Sequence, residues 1–475
     1  MRLPFIPALR AGRAYESADA VEIHDVRTGT PLARLGMVNA GLIRRDLARS
    51  HEAAVALRAL DVSEIMDRMA RAADLFERAP LPLGEGSQSP DEYVAHLSAA
   101  SGLPRTLVRK NMAKLADGLR HTPGILAGLL RGLDPAVLDR GWIPWNGSTV
   151  AFAPVTPALG VLLPSNSPGV NGLWLPAIAL KTPVVLKPGR EEPWTPYRLV
   201  QAALAAGLPP EAFSFYPTDH AGGDEILQGC RRSMLFGDEQ TVARHAGSAA
   251  IQPHGPGWSK LVIGEDCIDR WPDYLDLCVS SILENGGRSC INASAVVVPR
   301  HADAVAEALA ARLAAVEALP LDDDRAVLAA FANPATAAHI TAVIDEDLRT
   351  PGAVDLTAGL RGGARLTRCD GATFLLPTLV RCASFEHPLA NREYPFPYAS
   401  VVEVPEPEIS RAIGRSLVVT VVSDDPGLVR ALFDAPGVDH LHVGPIPTWQ
   451  VRKDQPHEGN LFEFLYRQRA FQQAG

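Results

Sequence analysis

The sequence predicts an α/β protein with two parallel sheets, each in its own domain, on three observations. Short apolar strands alternate with short helical stretches from about residue 150 onward. The alternation pauses at a Gly-rich segment ending near residue 290 and then resumes. At 475 residues the chain is also too long for one simple core, so two or three domains are expected.

The elements follow in order. A short strand is expected over 21–26, and apolar residues recur at helical spacing over 40–60, 62–78, 91–100 and, after the Gly102-Leu103-Pro104 break, 103–119. The first sheet is read from strands at 158–163, 183–187, 213–216 and 233–236, with 260–263 closing the series. Helical stretches at 173–180, 195–206, 224–230 and 240–246 lie between them. The second sheet takes 295–298, 401–404, 417–422 and 440–443, with an Ala-rich helix over 302–319. Crossovers between parallel strands are right-handed, and ligands of such sheets bind beyond the carboxyl ends of the strands. Pro164-Ser165-Asn166-Ser167-Pro168 and Lys187-Pro188-Gly189-Arg190 fall at those ends.

With 45 basic against 54 acidic residues, the net charge of −9 is spread without long single-sign runs. That argues against nucleic acid or an anionic membrane surface as the main partner. Six cysteines form no C-x-x-C pair and no zinc-ligand spacing with histidine, so no metal site is expected. Neither a signal peptide nor a membrane-spanning run is visible, which makes a reducing cytoplasm the expected home. Thiols stay free there.

Cys290 is the thiol to watch. It follows Glu284-Asn285-Gly286-Gly287-Arg288-Ser289 and precedes the strand Ala295-Val296-Val297-Val298. A thiol fixed on a tight backbone can hold an acyl group while a hydride moves at the same carbon. A buried structural cysteine is the alternative reading of that segment. Arg288 offers a nearby cation for the thiolate, or else a surface charge.

Four motifs in order resemble the aldehyde dehydrogenase superfamily: Pro164-x-Asn166-x-Pro168, Val184-Val185-Leu186-Lys187-Pro188, Asn285-x-Gly287-x-x-Cys290, and Arg392-Glu393-Tyr394-Pro395-Phe396-Pro397 with Ser400-Val401-Val402. The resemblance spans most of the chain. It is nearest the bacterial luminescence-type long-chain acyl-CoA reductases, through Ser101-Gly102-Leu103-Pro104, Gly222-Gly223-Asp224-Glu225-Ile226, Phe236-Gly237-Asp238-Glu239 and His254-Gly255-Pro256-Gly257-Trp258-Ser259. The segment around Cys290 is closer to the general dehydrogenase pattern.

The resemblance implies an aldehyde-dehydrogenase-like fold with two Rossmann-type domains and a small oligomerisation element. Residues 1–260 would hold the N-terminal helices and the NAD(P)-binding domain, with a hairpin near 135–155. Residues 261–444 would be the catalytic domain and 445–475 the C-terminal oligomerisation or return segment. A homo-oligomer, dimer or tetramer, is expected. Cys290 would be the nucleophile and Asn166 an oxyanion donor, typically worth about 3 kcal/mol. Lys187 would hold the adenosine ribose and Glu393 the nicotinamide ribose, with Pro164 and Gly237 completing the cofactor site.

Departures from the family pattern carry their own expectations. Arg190 replaces the usual acidic residue and favours NADP(H) over NAD(H), since guanidinium pairs with phosphate in a bidentate way. Asp238 and Glu239 stand near the expected pyrophosphate and would repel it unless turned away. The family's glutamate base falls on Val262, with Glu265, Glu284 or His254 as substitutes. Gly444-Pro445-Ile446-Pro447 replaces the usual end of the last catalytic strand. Without a base, hydrolysis of a Cys290 thioester should be slow and a thiol such as coenzyme A the better acyl partner. The expected activity is therefore reduction of an acyl-CoA thioester to an aldehyde. Hydrolytic aldehyde oxidation, or a silent nucleotide- or partner-binding homologue, are the alternatives.

Overall fold

The computed structural model describes residues 3–472. Two seven-stranded sheets organise the chain. In the first, Ile251–His254, Arg232–Phe236, Leu159–Leu162, Val184–Lys187 and Phe213–Phe215 run parallel in that spatial order. The N-terminal strands Ala8–Arg10 and Arg13–Tyr15 add an antiparallel edge. The second sheet is ordered Ala353–Asp355, Thr378–Cys382, Tyr398–Glu403, Ala293–Val298, Ser259–Ile263, Ser416–Val422, Val438–Val443, all parallel except its first strand. The α/β class with two parallel sheets is as the alternation implied.

Register decides which side chains share an edge. Leu162 pairs with Lys187 on one side and Leu235 on the other, and Phe236 pairs with His254. The loops carrying Asn166, Gly189, Gly237 and Gly255 therefore leave the sheet at one level. Every residue of Ala293–Val298 is buried, as expected where helices cover both faces of a parallel sheet.

Several helices match their sequence signals. Val62–Arg78 buries Ile65, Met69, Ala72, Ala73 and Phe76 on one face. Pro90–Ser101 starts at a capping box between Ser89 and Glu92 and ends at left-handed Gly102. Arg105–Arg120 follows it and packs on Val62–Arg78. The stretch 40–60 is two helices, Ala40–Leu47 and Ser50–Arg58, because Arg49 leaves helical geometry between them. The Ala-rich helix ends at Ala314, earlier than 319, ahead of Pro320.

One strand belongs elsewhere than expected. The 260–263 segment, read as closing the first sheet, is Ser259–Ile263 at the centre of the second, between Ala293–Val298 and Ser416–Val422. Ile251–His254 closes the first sheet instead. Its Pro253 and adjoining polar residues gave no strand pattern, and an edge strand tolerates a proline.

Trp142–Trp145, Ser148–Pro154 and Tyr466–Arg469 form a separate antiparallel sheet. Among the described residues, no helix is long and apolar enough to cross a membrane.

Candidate active site

The loop leaving Leu159–Leu162 carries Asn166, whose Nδ2 donates to the Arg288 carbonyl at 3.0 Å. At the next strand end, burial lowers the Lys187 ammonium from its usual range. Its Nζ donates to the Pro188 carbonyl at 3.4 Å, a long bond that leaves donors to spare. Arg190 is exposed, whereas the following Glu191 borders the cavity, its backbone N–H donating to Ser165 Oγ at 3.3 Å. Beyond Gly237, Asp238 turns back on its own helix start and accepts from the Thr241 N–H at 2.8 Å.

The Cys290 loop is held by a buried polar network. Asn285 has a left-handed backbone (φ 53°) and donates through Nδ2 to Ser167 Oγ and Ser289 Oγ, each at 3.1 Å. Its Oδ1 accepts from Asn111 Nδ2 at 2.7 Å. Asn292 closes the other side, accepting from the Ser289 N–H at 2.8 Å and donating to the Ser281 and Glu284 carbonyls. The Cys290 carbonyl accepts from Ser259 Oγ at 2.9 Å. Gly257 lies against that carbonyl so closely that a Cβ would overlap it. Sequence reading overlooked this bracing, although Asn285 and Asn292 flank the cysteine and asparagine tolerates left-handed backbone.

Arg288 is not a surface charge. It is buried, donates to the carbonyls of Ser101 (2.7 Å) and Ala330, and lies over the Phe331 ring. Its role is to tie the loop to the helical region.

Burial pushes the Cys290 thiol well up, the Glu393 and Glu458 carboxylates add to this, and the Lys114 ammonium opposes it. Glu393 Oε2 accepts from the N–H groups of Gly257 (2.9 Å) and Trp258 (2.8 Å). Loss of hydration nonetheless carries that carboxyl up to about 8. Glu458 is bonded to His254 Nδ1; burial works to raise it, but His254 and nearby cations hold it below the usual carboxylate value. The His254 ring stacks on Phe236 with centroids 4.6 Å apart, and its Nε2 is buried without a hydrogen-bond partner.

A cavity of about 1270 Å³ collects these groups. Pro164, Asn166, Gly237, Cys290 and Glu393 all line it, as do His254, Lys114 and Glu458. Lys187 and Arg190 are not on its wall. Residues 449–459 are, so part of the 445–475 segment walls the site. The Ile446 carbonyl, held by Thr420 Oγ1 at 2.8 Å, turns the chain toward that position. No cluster of His, Cys, Asp and Glu able to hold a metal occurs among the described residues.

The sequence model of the aldehyde dehydrogenase family matches residues 14–413. The chain belongs to the aldehyde dehydrogenase family. Among curated aldehyde dehydrogenases it is 26% identical over 272 residues to the geranial dehydrogenase of Castellaniella defragrans, covering 54% of each chain. It is 28% identical over 150 residues to the phenylacetaldehyde dehydrogenase of Pseudomonas fluorescens, 30% of each. The matched stretches thus span about half of one relative's length and under a third of the other's. Among solved structures, the aldehyde dehydrogenase KauB of Pseudomonas aeruginosa superposes with a TM-score of 0.80 at 17% identity, covering 99% of this chain and 97% of that one. An indole-3-acetaldehyde dehydrogenase complexed with NAD+ gives 0.77 at 17% identity, covering 99% and 96%. These likenesses show the aldehyde dehydrogenase fold.

Within this member of the family, the base position assigned from sequence is not upheld. Val262 is fully buried, paired with Val297 and Val421 in the core of the second sheet, and cannot be part of the cavity. Glu265 pairs with Arg300 away from the site, and Glu284 pairs with Lys110 at 2.7 Å. Of the three substitutes, His254 alone presents a buried atom without a hydrogen-bond partner. Val262 was reached by matching 261–265 to the family's base segment, and the pairing of Ser259–Ile263 places that stretch inside the second sheet.

Proposed function

We propose that the chain is an NAD(P)(H)-dependent oxidoreductase acting on an aldehyde or acyl group through a thioester at Cys290, with acyl-thioester reduction to aldehyde as its main direction. The observation that carries the chemistry is Cys290 and Asn166 on one cavity at the carboxyl edge of a parallel sheet.

Cys290 attacks the carbonyl carbon and forms the carbon–sulfur bond. Asn166 has a second amide hydrogen beyond the one given to Arg288, and with the Cys290 N–H it can meet the developing oxyanion. The residues suit a dinucleotide: Lys187 keeps unused donors, Glu393 keeps Oε1 free, and Pro164 and Gly237 border the cavity. When bound, that cofactor supplies the hydride acceptor or donor. Exposed Arg190 favours a 2′-phosphate and hence NADP(H). Glu191, bordering the cavity one residue later, is the group that would favour a free ribose instead.

Acyl transfer to a thiol, coenzyme A in particular, is preferred to hydrolysis. The two carboxylates that act on Cys290 are both held in place, Glu393 through Oε2 by backbone N–H groups and Glu458 by His254, which supports transfer to a thiol over activation of water. A homo-oligomer assembled through the Trp142–Trp145, Ser148–Pro154 and Tyr466–Arg469 sheet is part of the same reading, supported by exposed Trp145 and Phe471 beside it.

Purified protein mixed with NADPH and a panel of acyl-CoA thioesters tests this, with C290A as control. Absorbance loss that the variant abolishes is the expected result. Reduction of NADP+ by free aldehydes without coenzyme A, and no turnover of thioesters, would replace it with the hydrolytic reading.

A further inference from the structure

We propose that His254, oriented by Glu458, is the proton-exchanging catalytic residue of the acyl-transfer step at Cys290; this rests on the thioester reading above.

The ring is fixed from three sides. Phe236 stacks on its face, Glu458 binds Nδ1, and the backbone places it at the last pair of the edge strand. A carboxylate at Nδ1 selects the tautomer with hydrogen on that nitrogen and a lone pair on Nε2. Glu458 is itself steadied, since Gln252 Nε2 donates to its carbonyl and Arg415 lies 3.7 Å from its carboxylate. A histidine serving structure alone is expected to have both nitrogens bonded. Here the acceptor nitrogen is buried, unpartnered, and part of a residue on the wall of the cavity that holds Cys290. Such an orphan in a site calls for a functional partner.

The other charged groups around the dyad are His457, Asp439, Arg415, Lys114 and, across the cavity, Glu393. None of them has an ion pair with His254 in place of Glu458.

The step balances without any change of oxidation state. A thiol R–SH gives its proton to Nε2 as its sulfur bonds to the acyl carbon. The oxyanion collapses, the bond from that carbon to Cys290 sulfur breaks, and the departing thiolate of Cys290 regains the proton from Nε2. In the reductive direction the order reverses: Nε2 takes the Cys290 proton and delivers it to the leaving thiolate.

The test compares wild type, H254Q and E458Q in rapid mixing with aliphatic and aromatic aldehydes, NAD+ or NADP+, and coenzyme A. Gln keeps a donor for Glu458 but cannot take a proton, and thermal melts verify folding. The readouts are the nicotinamide burst, the steady-state rate and the intact mass of the enzyme. For H254Q we expect a burst of about one per site, an acyl adduct on Cys290 that accumulates, and turnover reduced about 10²–10⁴-fold. E458Q should fall between. H254Q turning over within threefold of wild type overturns the assignment, as does a folded H254Q that loses burst and turnover alike. A wild type giving neither burst nor adduct would instead overturn the Cys290 reading itself.

Discussion

Asn166 Nδ2 donates to the carbonyl of Arg288 at 3.0 Å, so a loop of the first sheet holds the strand-entry loop of the second two residues before Cys290. The bond aligns one amide hydrogen with the loop and leaves the other for substrate. Substituting N166A should lower kcat about 10²–10³-fold. Iodoacetamide labelling of Cys290 should change little. An equal loss in both would make Asn166 a brace for the loop and nothing more.

The Cys290 thiol has its pKa raised by burial and by two carboxylates, so the neutral form dominates at pH 7. The sign is definite: a raised thiol pKa means scarce thiolate, and alkylation of the free protein should accelerate as pH rises, approaching tenfold per unit above neutrality. Lys114 works the other way, so K114M should slow labelling several-fold at a given pH. Fast labelling at pH 6 that does not vary with pH would contradict both statements.

Arg190 is exposed beyond the end of the Val184–Lys187 strand, and the proposed preference for NADP(H) stands on it. R190A should raise KM for NADPH about tenfold, the loss of one charge-assisted contact, with NADH unaffected. Equal KM values for the two coenzymes in wild type would pass that role to Glu191.

Gly257 lies against the Cys290 carbonyl with no space for a Cβ. G257A must displace one loop or the other, and a misplacement on the order of 1 Å costs about 10² in rate. Overpacking should also cost about 1–3 kcal/mol in a denaturant melt. Wild-type rate and stability in that variant would show that the contact relaxes freely.

Local signals in the sequence were enough for the parallel-sheet class, the Val62–Arg78 helix and the Cys290 segment. Each depends on residues close together in the chain: strand–helix alternation, apolar periodicity, two glycines before a strand. Asn166 was singled out by the resemblance of its Pro-x-Asn-x-Pro segment, just after an apolar strand.

What tertiary structure alone decided is everything that depends on pairing across long separations. Ser259–Ile263 is apolar enough to join either sheet, and only its register with Val297 and Val421 assigns it. That assignment removes Val262 from the site. His254 opens a recognisable motif but Glu458 stands in none, and the two are 204 residues apart, so no spacing rule could join them. Arg288 looked like a loop cation until folding gave it the carbonyls of Ser101 and Ala330. Sequence by itself determined which backbone conformations and which nucleophile were available; the packing of two sheets determined which side chains lost their water and came to face that nucleophile.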